Sequence, residues 1–273
     1  MEKDCRVAVV GAGAVGGITA GFLSKNGYDV ELVCKYNELA EKVRTQGLRV
    51  FGVNGDFHSK MKAVGNVEEL SGPKDYVFLA TKATDMLDAA KKLLPFLHER
   101  SAVVSLQNGI CEEAIAEVVG KQRTIGCVVG WGATMHEPGN LEMTSSGEFV
   151  IGTINGSHDE RLDPVRDMLS SVVPVIVSDN IIGNLYSKLI INSCITSLGA
   201  VCGLYLGEML ASRKIRNIFI QIMSEAMDVA DTMKLNVEPY AGKLNYYTFV
   251  EGTAAWKSFK RPALMRPIAG KHR

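Results

Sequence analysis

The sequence has no excess of either charge: 30 Lys and Arg stand against 30 Asp and Glu in 273 residues. A neutral chain offers no global field to nucleic acid or to an anionic membrane, so neither is an expected partner. The six cysteines (Cys5, Cys34, Cys111, Cys127, Cys194 and Cys202) include no C-x-x-C pair and no close cysteine–histidine cluster. That argues against a disulfide framework or a zinc site; no metal is expected, and the thiols are read as free and buried in a reducing cytoplasm. The start, Met1 to Arg6, lacks an apolar h-region, so no signal peptide is expected. Long uncharged runs are also scarce. The one that stands out, Leu189 to Leu206, carries Asn192, Ser193, Thr196, Ser197, Gly199 and Gly203. This polarity suits a helix buried in protein better than one facing lipid, and the chain is read as soluble. Internal repeats and low-complexity tracts are absent.

What is present is an ordinary globular composition, 47% hydrophobic and 22% charged, in a chain long enough for two domains. Val7–Val10 reads as a buried strand, Ile18–Asn26 as a helix and Val30–Val33 as the next strand, a β-α-β unit of about thirty residues. Leu48–Val53 and Phe57–Val64 read as a hairpin across Asn54-Gly55. Further strands are expected at Tyr76–Ala80, Ala102–Leu106, Ile125–Gly130, Glu148–Gly152 and Val175–Val177. Helices are expected at Thr84–Leu97, Glu112–Val119 and Asp159–Ser170, with a Pro138-Gly139-Asn140 turn between two of the strands. This alternation implies an α/β, doubly wound Rossmann-type sheet. After Ser178 the pattern turns to long helices, Ile182–Cys202 and Ile215–Met233. The expected domains are therefore residues 1–178, dinucleotide-binding, and 179–273, all-helical.

The first strand runs into Gly11-Ala12-Gly13-Ala14-Val15-Gly16, a G-x-G-x-x-G segment in its proper strand–turn–helix context. Gly11 makes the tight turn, Gly13 lets the backbone approach a pyrophosphate, and Gly16 permits close helix–strand packing. The free N–H groups and positive end of the helix complete an anion site. At the end of the second strand an NAD enzyme usually carries Asp or Glu for the ribose hydroxyls. Here the residues are Val33-Cys34-Lys35. Lys35 suits the 2′-phosphate of NADP, so NADPH/NADP is the expected cofactor.

Polar residues follow two other strands, at Thr81-Lys82 and Gln107-Asn108-Gly109, on the sheet edge where doubly wound folds bind ligands. In the second domain Lys188, Asn192 and Thr196 are spaced i, i+4, i+8, along one face of a helix. A lysine and an asparagine set within Leu-Ile-Ile-Asn-Ser-Cys-Ile are costly to bury unless paired or functional.

Together the segments GAGAVG, ATKATD, LQNG, PGN, NLYSKLIINSCITSLGAVCG and GEML resemble the 2-dehydropantoate 2-reductase (ketopantoate reductase) family over essentially the whole chain. The resemblance implies NADPH-dependent reduction of ketopantoate to pantoate, in pantothenate and coenzyme A synthesis. It implies that Lys188 is the catalytic general acid and that Asn192 binds the substrate keto acid. Asn108 then lies near nicotinamide and substrate, Lys82 contacts the cofactor, and Lys35 takes the 2′-phosphate. Thr196 stands where the family usually has a second substrate-binding asparagine, in an Asn-Pro-Leu context. That departure keeps open a paralogous reductase acting on another keto acid.

The family pattern continues with a serine-rich segment and an acidic helix, whereas this sequence stops at Arg273 without them. The helical domain is accordingly read as truncated, and an NADP(H)-binding protein with little catalysis stays open as a second alternative. Lys257, Lys260, Arg261, Arg266, Lys271 and Arg273 form a basic tail, read as the loop that precedes the missing segment. Oligomeric state is left open, a homodimer included.

Overall fold

The computed structural model describes residues 5–250, with the side chains of residues 249 and 250 excepted. It falls into two compact units, Met1–Ile181 and Ile182–Arg273. The basic tail lies outside the described residues.

The first unit begins β1 (Arg6–Val10), α1 (Ala14–Lys25), β2 (Asp29–Val33), α2 (Asn37–Thr45), β3 (Leu48–Gly52), β4 (Phe57–Ser59) and β5 (Lys62–Val64). It continues with β6 (Lys74–Leu79), α3 (Met86–Leu93), β7 (Leu97–Ser105), α4 (Glu112–Val119), β8 (Thr124–Val129), β9 (Gly132–Glu137) and β10 (Asn140–Ser145). β11 (Phe149–Thr153), α5 (Leu162–Ser170) and β12 (Val175–Val177) complete it. Eight strands form one sheet in the order β12-β11-β8-β7-β6-β1-β2-β5. From β5 to β8 every pairing is parallel; β11 runs antiparallel to β8 and carries β12 parallel to itself. Continuous apolar strands are what two covered faces require. In β1, Val7 and Val9 join the core shared with α1, α2 and α5, while Ala8 and Val10 join that of α3 and α4.

A second sheet, β4-β3-β10-β9, lies beside α1. The helix meets it through Gly17 and Gly21, where an added Cβ would sit 2.4 Å from Leu141 Cδ1 and 2.9 Å from Val50 Cγ2. The expected hairpin across Asn54-Gly55 is present, but its second strand is not continuous. β4 pairs with β3, and after Lys60-Met61 the chain crosses to the large sheet, where β5 pairs with β2. Burying Ala63 beside Leu32 on that edge outweighs continuing the hairpin. The turn expected at Pro138-Gly139-Asn140 joins two strands the sequence pattern does not show, β9 and β10. The last four residues of β9 are exposed, so it has no apolar alternation to detect. Helix α2 escapes notice for a related reason, since Ala40 and Val43 are its only buried residues.

Among the described residues of this unit, one ion pair is buried. Lys74 Nζ lies 2.6 Å from Glu31 Oε2, and the Ser71 hydroxyl and amide donate to the same oxygen. Burial alone would raise the Glu31 carboxyl; the hydrogen bonds from Lys74 and Ser71 prevail and hold it below its ordinary value. Lys74→Ala strands this carboxylate and is expected to cost about 3–5 kcal/mol, seen as a lowered urea midpoint with unchanged slope. Because the folded value is depressed, the stabilisation is present above the ordinary carboxylate range. It is lost as pH falls through the folded value.

The second unit holds α6 (Ile181–Asn192), a π-helical turn at Ser193–Ser197, α7 (Leu198–Cys202), α8 (Leu206–Ala211) and α9 (Arg213–Thr232). Its core joins Tyr186, Ile190, Ile191 and Cys194 to Phe219, Met223 and Met227 of α9. Ser212 caps α9 by accepting from the Ile215 amide. The stretch Ile181–Cys202 is long and apolar enough to cross a membrane, with mean hydropathy 1.3. Here one side of it is committed to the core of this unit, and a π turn interrupts it. Four of the six cysteines, Cys34, Cys111, Cys127 and Cys194, are buried, and burial pushes the Cys34 and Cys194 thiols up to about 12. Cys5 is partly exposed, and Cys202 corrects the expectation of buried thiols. It is exposed at the end of α7, where Gly203 takes a left-handed conformation and the chain leaves the core.

Candidate functional site

The carboxyl ends of β1, β2, β6 and β7 form one edge of the large sheet, and backbone hydrogen bonds extend the ladder past each strand. The Gly11 amide donates to the Val33 carbonyl at 3.0 Å, the Ala80 amide to Val10 at 2.8 Å, and the Leu106 amide to Leu79 at 2.9 Å. The order of strands reverses at β1, which lies between β2 and β6, and such a switch point is where open α/β sheets bind ligands.

The glycine turn is shaped by close approach on one side and open space on the other. Gly11 has φ +114°, and a Cβ on it would lie 2.7 Å from the Ala80 carbonyl oxygen. A Cβ on Gly16 would lie 2.0 Å from the Gly11 carbonyl oxygen and 2.8 Å from Ala80 Cβ. Nothing lies within 4 Å of a Cβ on Gly13. Gly13 caps α1 without any side-chain hydrogen bond, and the first turn of the helix holds no acid. Ala14 and Val15 thus begin a helix whose N–H groups and positive dipole end are left for an anion, with room for it above Gly13. The backbone through Gly11, Ala12, Gly13, Ala14, Val15 and Gly16 fits a dinucleotide pyrophosphate.

The other expected residues of this unit gather on the same edge. Lys35 is exposed just beyond β2, with its Nζ 6.0 Å from the ring centroid of Tyr36. Among the described residues no carboxylate forms an ion pair with it. Lys82 is exposed one residue after Thr81, in the loop that touches Gly11. Asn108 is exposed after β7, followed by Gly109 at φ +98°. The two loops are tied together: Gln107 Nε2 donates to Thr81 Oγ1 at 3.4 Å, and the Ser105 hydroxyl donates to Gln107 Oε1 at 2.8 Å.

Glu112 belongs to this edge and escapes sequence reasoning. It reads as an ordinary acid in the first turn of a helix, where carboxylates favour the dipole and face solvent. Instead it is fully buried, with its Oε1 lacking any hydrogen-bond partner. Only the packing of α4 against β8 reveals it.

Lys188, Asn192 and Thr196 belong to the second unit. Lys188 and Asn192 are both half-buried in α6, one turn apart. Thr196 lies within the π turn Ser193–Ser197, whose hydrogen-bonded rings each hold one extra residue. It is exposed, whereas Lys188 and Asn192 are half-buried. The Ser193 hydroxyl, donating back to the Leu189 carbonyl at 2.8 Å, competes with the regular helical bond at this point. Next to Lys188 in the chain, the Ser187 carbonyl accepts from the buried Tyr246 hydroxyl at 2.7 Å, which ties α6 to the segment after α9.

A doubly wound sheet with an open, uncapped glycine turn at its switch point, followed by a helical unit, defines a nucleotide-dependent oxidoreductase architecture. Comparison with known proteins agrees. The family profile "Ketopantoate reductase PanE/ApbA" matches residues 7–156, and "Ketopantoate reductase PanE/ApbA C terminal" matches residues 180–258. The chain belongs to the ketopantoate reductase family. A 2-dehydropantoate 2-reductase from Pyrococcus horikoshii is 28% identical over 241 residues, covering 86% of this chain and 77% of that protein. One from Aquifex aeolicus is 26% identical over 231 residues, covering 83% of this chain and 73% of that protein. The solved structure of a PanE/ApbA family ketopantoate reductase from Ralstonia eutropha superposes with a TM-score of 0.78 at 24% identity, covering 98% and 99% of the two chains. D-mandelate dehydrogenase, solved with NADH and anilino(oxo)acetate, shares the fold at a TM-score of 0.79 and 19% identity, covering 97% and 98%.

Proposed function

We propose that this enzyme reduces ketopantoate to pantoate with NADPH. The observation that carries the cofactor choice is Lys35: an exposed ammonium, unpaired with any described carboxylate, where an NAD enzyme would place an acid. Relatives named 2-dehydropantoate 2-reductase support the substrate. When bound, the cofactor supplies hydride to the ketone carbon. The glycine turn would hold its pyrophosphate and Lys35 its 2′-phosphate, Lys82 would contact it as well, and Asn108 would lie by the nicotinamide and the substrate. Lys188 stabilises the alkoxide and protonates it, and Asn192 hydrogen-bonds the substrate. The keto acid is the one small-molecule partner this reading needs.

Lys35→Glu removes a charge-assisted contact worth about 1.5–3 kcal/mol. The ratio of kcat/KM for NADPH over NADH is then expected to fall about 10- to 100-fold. An unchanged ratio in steady-state kinetics sinks the assignment of Lys35. The residue at Thr196 favours a second reading, a reductase with the same mechanism and another keto acid. An exposed threonine is shorter than the usual second asparagine and offers a hydroxyl in place of an amide. Kinetics on a panel of 2-keto and 3-keto acids decides between them, and a strong preference for ketopantoate removes the second.

A further inference from the structure

We propose that Glu112 is a positioning residue: it anchors a hydrogen-bonded relay, Glu112–Ser105–Gln107–Thr81, that fixes the loops carrying Lys82 and Asn108. The proposal rests on the reading of those two loops as cofactor contacts.

Glu112 opens α4, yet its side chain turns inward. Its Oε2 accepts from the Cys111 amide at 2.9 Å, and its Oε1, equally buried, has no partner. The stem packs beside Gly126 of β8, where a Cβ would lie 3.4 Å from Glu112 Cγ. The Ser105 hydroxyl, fully buried at the end of β7, faces the same carboxyl while donating to Gln107 Oε1. Gln107 Nε2 in turn donates to Thr81 Oγ1.

The direction of this relay follows from proton counting. A hydroxyl has one proton to give. With that of Ser105 committed to Gln107, Ser105 Oγ can only accept, and a neutral Glu112 is the donor that faces it. The same proton relieves Oε1, which is buried and makes no hydrogen bond of good geometry. Burial, the largest cause, raises the Glu112 carboxyl above its ordinary value; the amides of Glu112, Cys111 and Cys127, and a Ser105 hydroxyl turned from Gln107 toward the carboxylate, favour the ionised form and are outweighed. Cys111 is the titratable neighbour, its thiol raised by burial and then by Glu112. In this state each link donates toward Thr81, so the ends of β7 and β6 are held at one separation. Lys82 and Asn108 each follow the relay by one residue.

The test uses the full chain, with NADPH alone as the binding probe and ketopantoate turnover as a second readout. Glu112→Leu, which keeps volume and loses the donor, is expected to lower NADPH affinity and kcat by about 10- to 100-fold, the scale of a misplaced contact. Glu112→Gln, whose amide can donate to Ser105 and accept from Cys111, is expected to restore both. Ser105→Ala breaks the relay at its middle and is expected to repeat the loss; it carries the test if Glu112→Leu does not fold. Infrared spectra at neutral pH should show a protonated carboxyl in the wild type that is missing in Glu112→Gln. The proposal is overturned if that band is absent, or if Glu112→Gln is as impaired as Glu112→Leu. It is also overturned if Ser105→Ala or folded Glu112→Leu only lowers Tm while NADPH affinity and kcat stay at wild-type values. If the wild type binds NADPH without reducing ketopantoate, the functional reading fails and the affinity comparison still decides this one.

Discussion

Lys188→Ala is expected to lower kcat by about 10²–10⁴-fold, the usual contribution of a positioned acid, with NADPH affinity unchanged. The loss follows from where the charge goes in the reaction. Hydride addition leaves negative charge on the former carbonyl oxygen, and an ammonium on α6 can stabilise it and then give up a proton. Glycine-turn contacts belong to the other unit, so they survive the substitution and keep NADPH bound. Lys188→Arg sharpens the test. A guanidinium retains the positive charge but does not release its proton near neutral pH. If Lys188 acts as a proton donor, Arg recovers little of the lost turnover; if it acts through charge alone, Arg recovers much of it. A structural lysine, with its stem along the apolar helix surface, predicts something else: lowered Tm and near-normal turnover in both variants. Single-turnover and steady-state kinetics, run beside thermal melts, separate the three.

The second large effect contrasts two glycines three residues apart. Gly13→Ala places a methyl group in open space, so the free protein is expected to fold with unchanged Tm. On the proposed reading that space takes the pyrophosphate, against the α1 amides. An intruding methyl costs about 1–3 kcal/mol, which weakens NADPH by about 5- to 150-fold. Gly16→Ala behaves differently. Its methyl would collide with the backbone oxygen of Gly11 at 2.0 Å and with Ala80 Cβ, so the turn itself must move. Both Tm and NADPH affinity are expected to fall. Fluorescence titration with NADPH and thermal unfolding measure the pair, and equal behaviour of the two variants would remove the cradle interpretation.

Much of the large sheet was legible because its parallel strands, buried on both faces, appear as short apolar runs between turn residues. Helix α4, at Glu112–Val119, and β12, at Val175–Val177, lie where the pattern placed them. Elements with little buried surface were not legible. β9 has an exposed outer half, α2 buries two residues, and β5 separates from β4 because a distant strand offers better burial. Their places depend on partners far away in sequence, such as β10 beside β3, about which a local pattern carries no information.

The glycine turn, Lys35 and the Lys188–Asn192 pair were visible in the sequence by itself, because each depends on residue type at short spacing. A turn needs particular glycines, a phosphate needs a cation, and four residues make a helical turn. Tertiary structure alone decided three other things. It opened space above Gly13 while closing it around Gly11 and Gly16. It introduced the π turn that contains Thr196, and it buried Glu112 beside Ser105. Each of these depends on which atoms meet across strands and turns, and that is set by packing rather than by the order of residues along the chain.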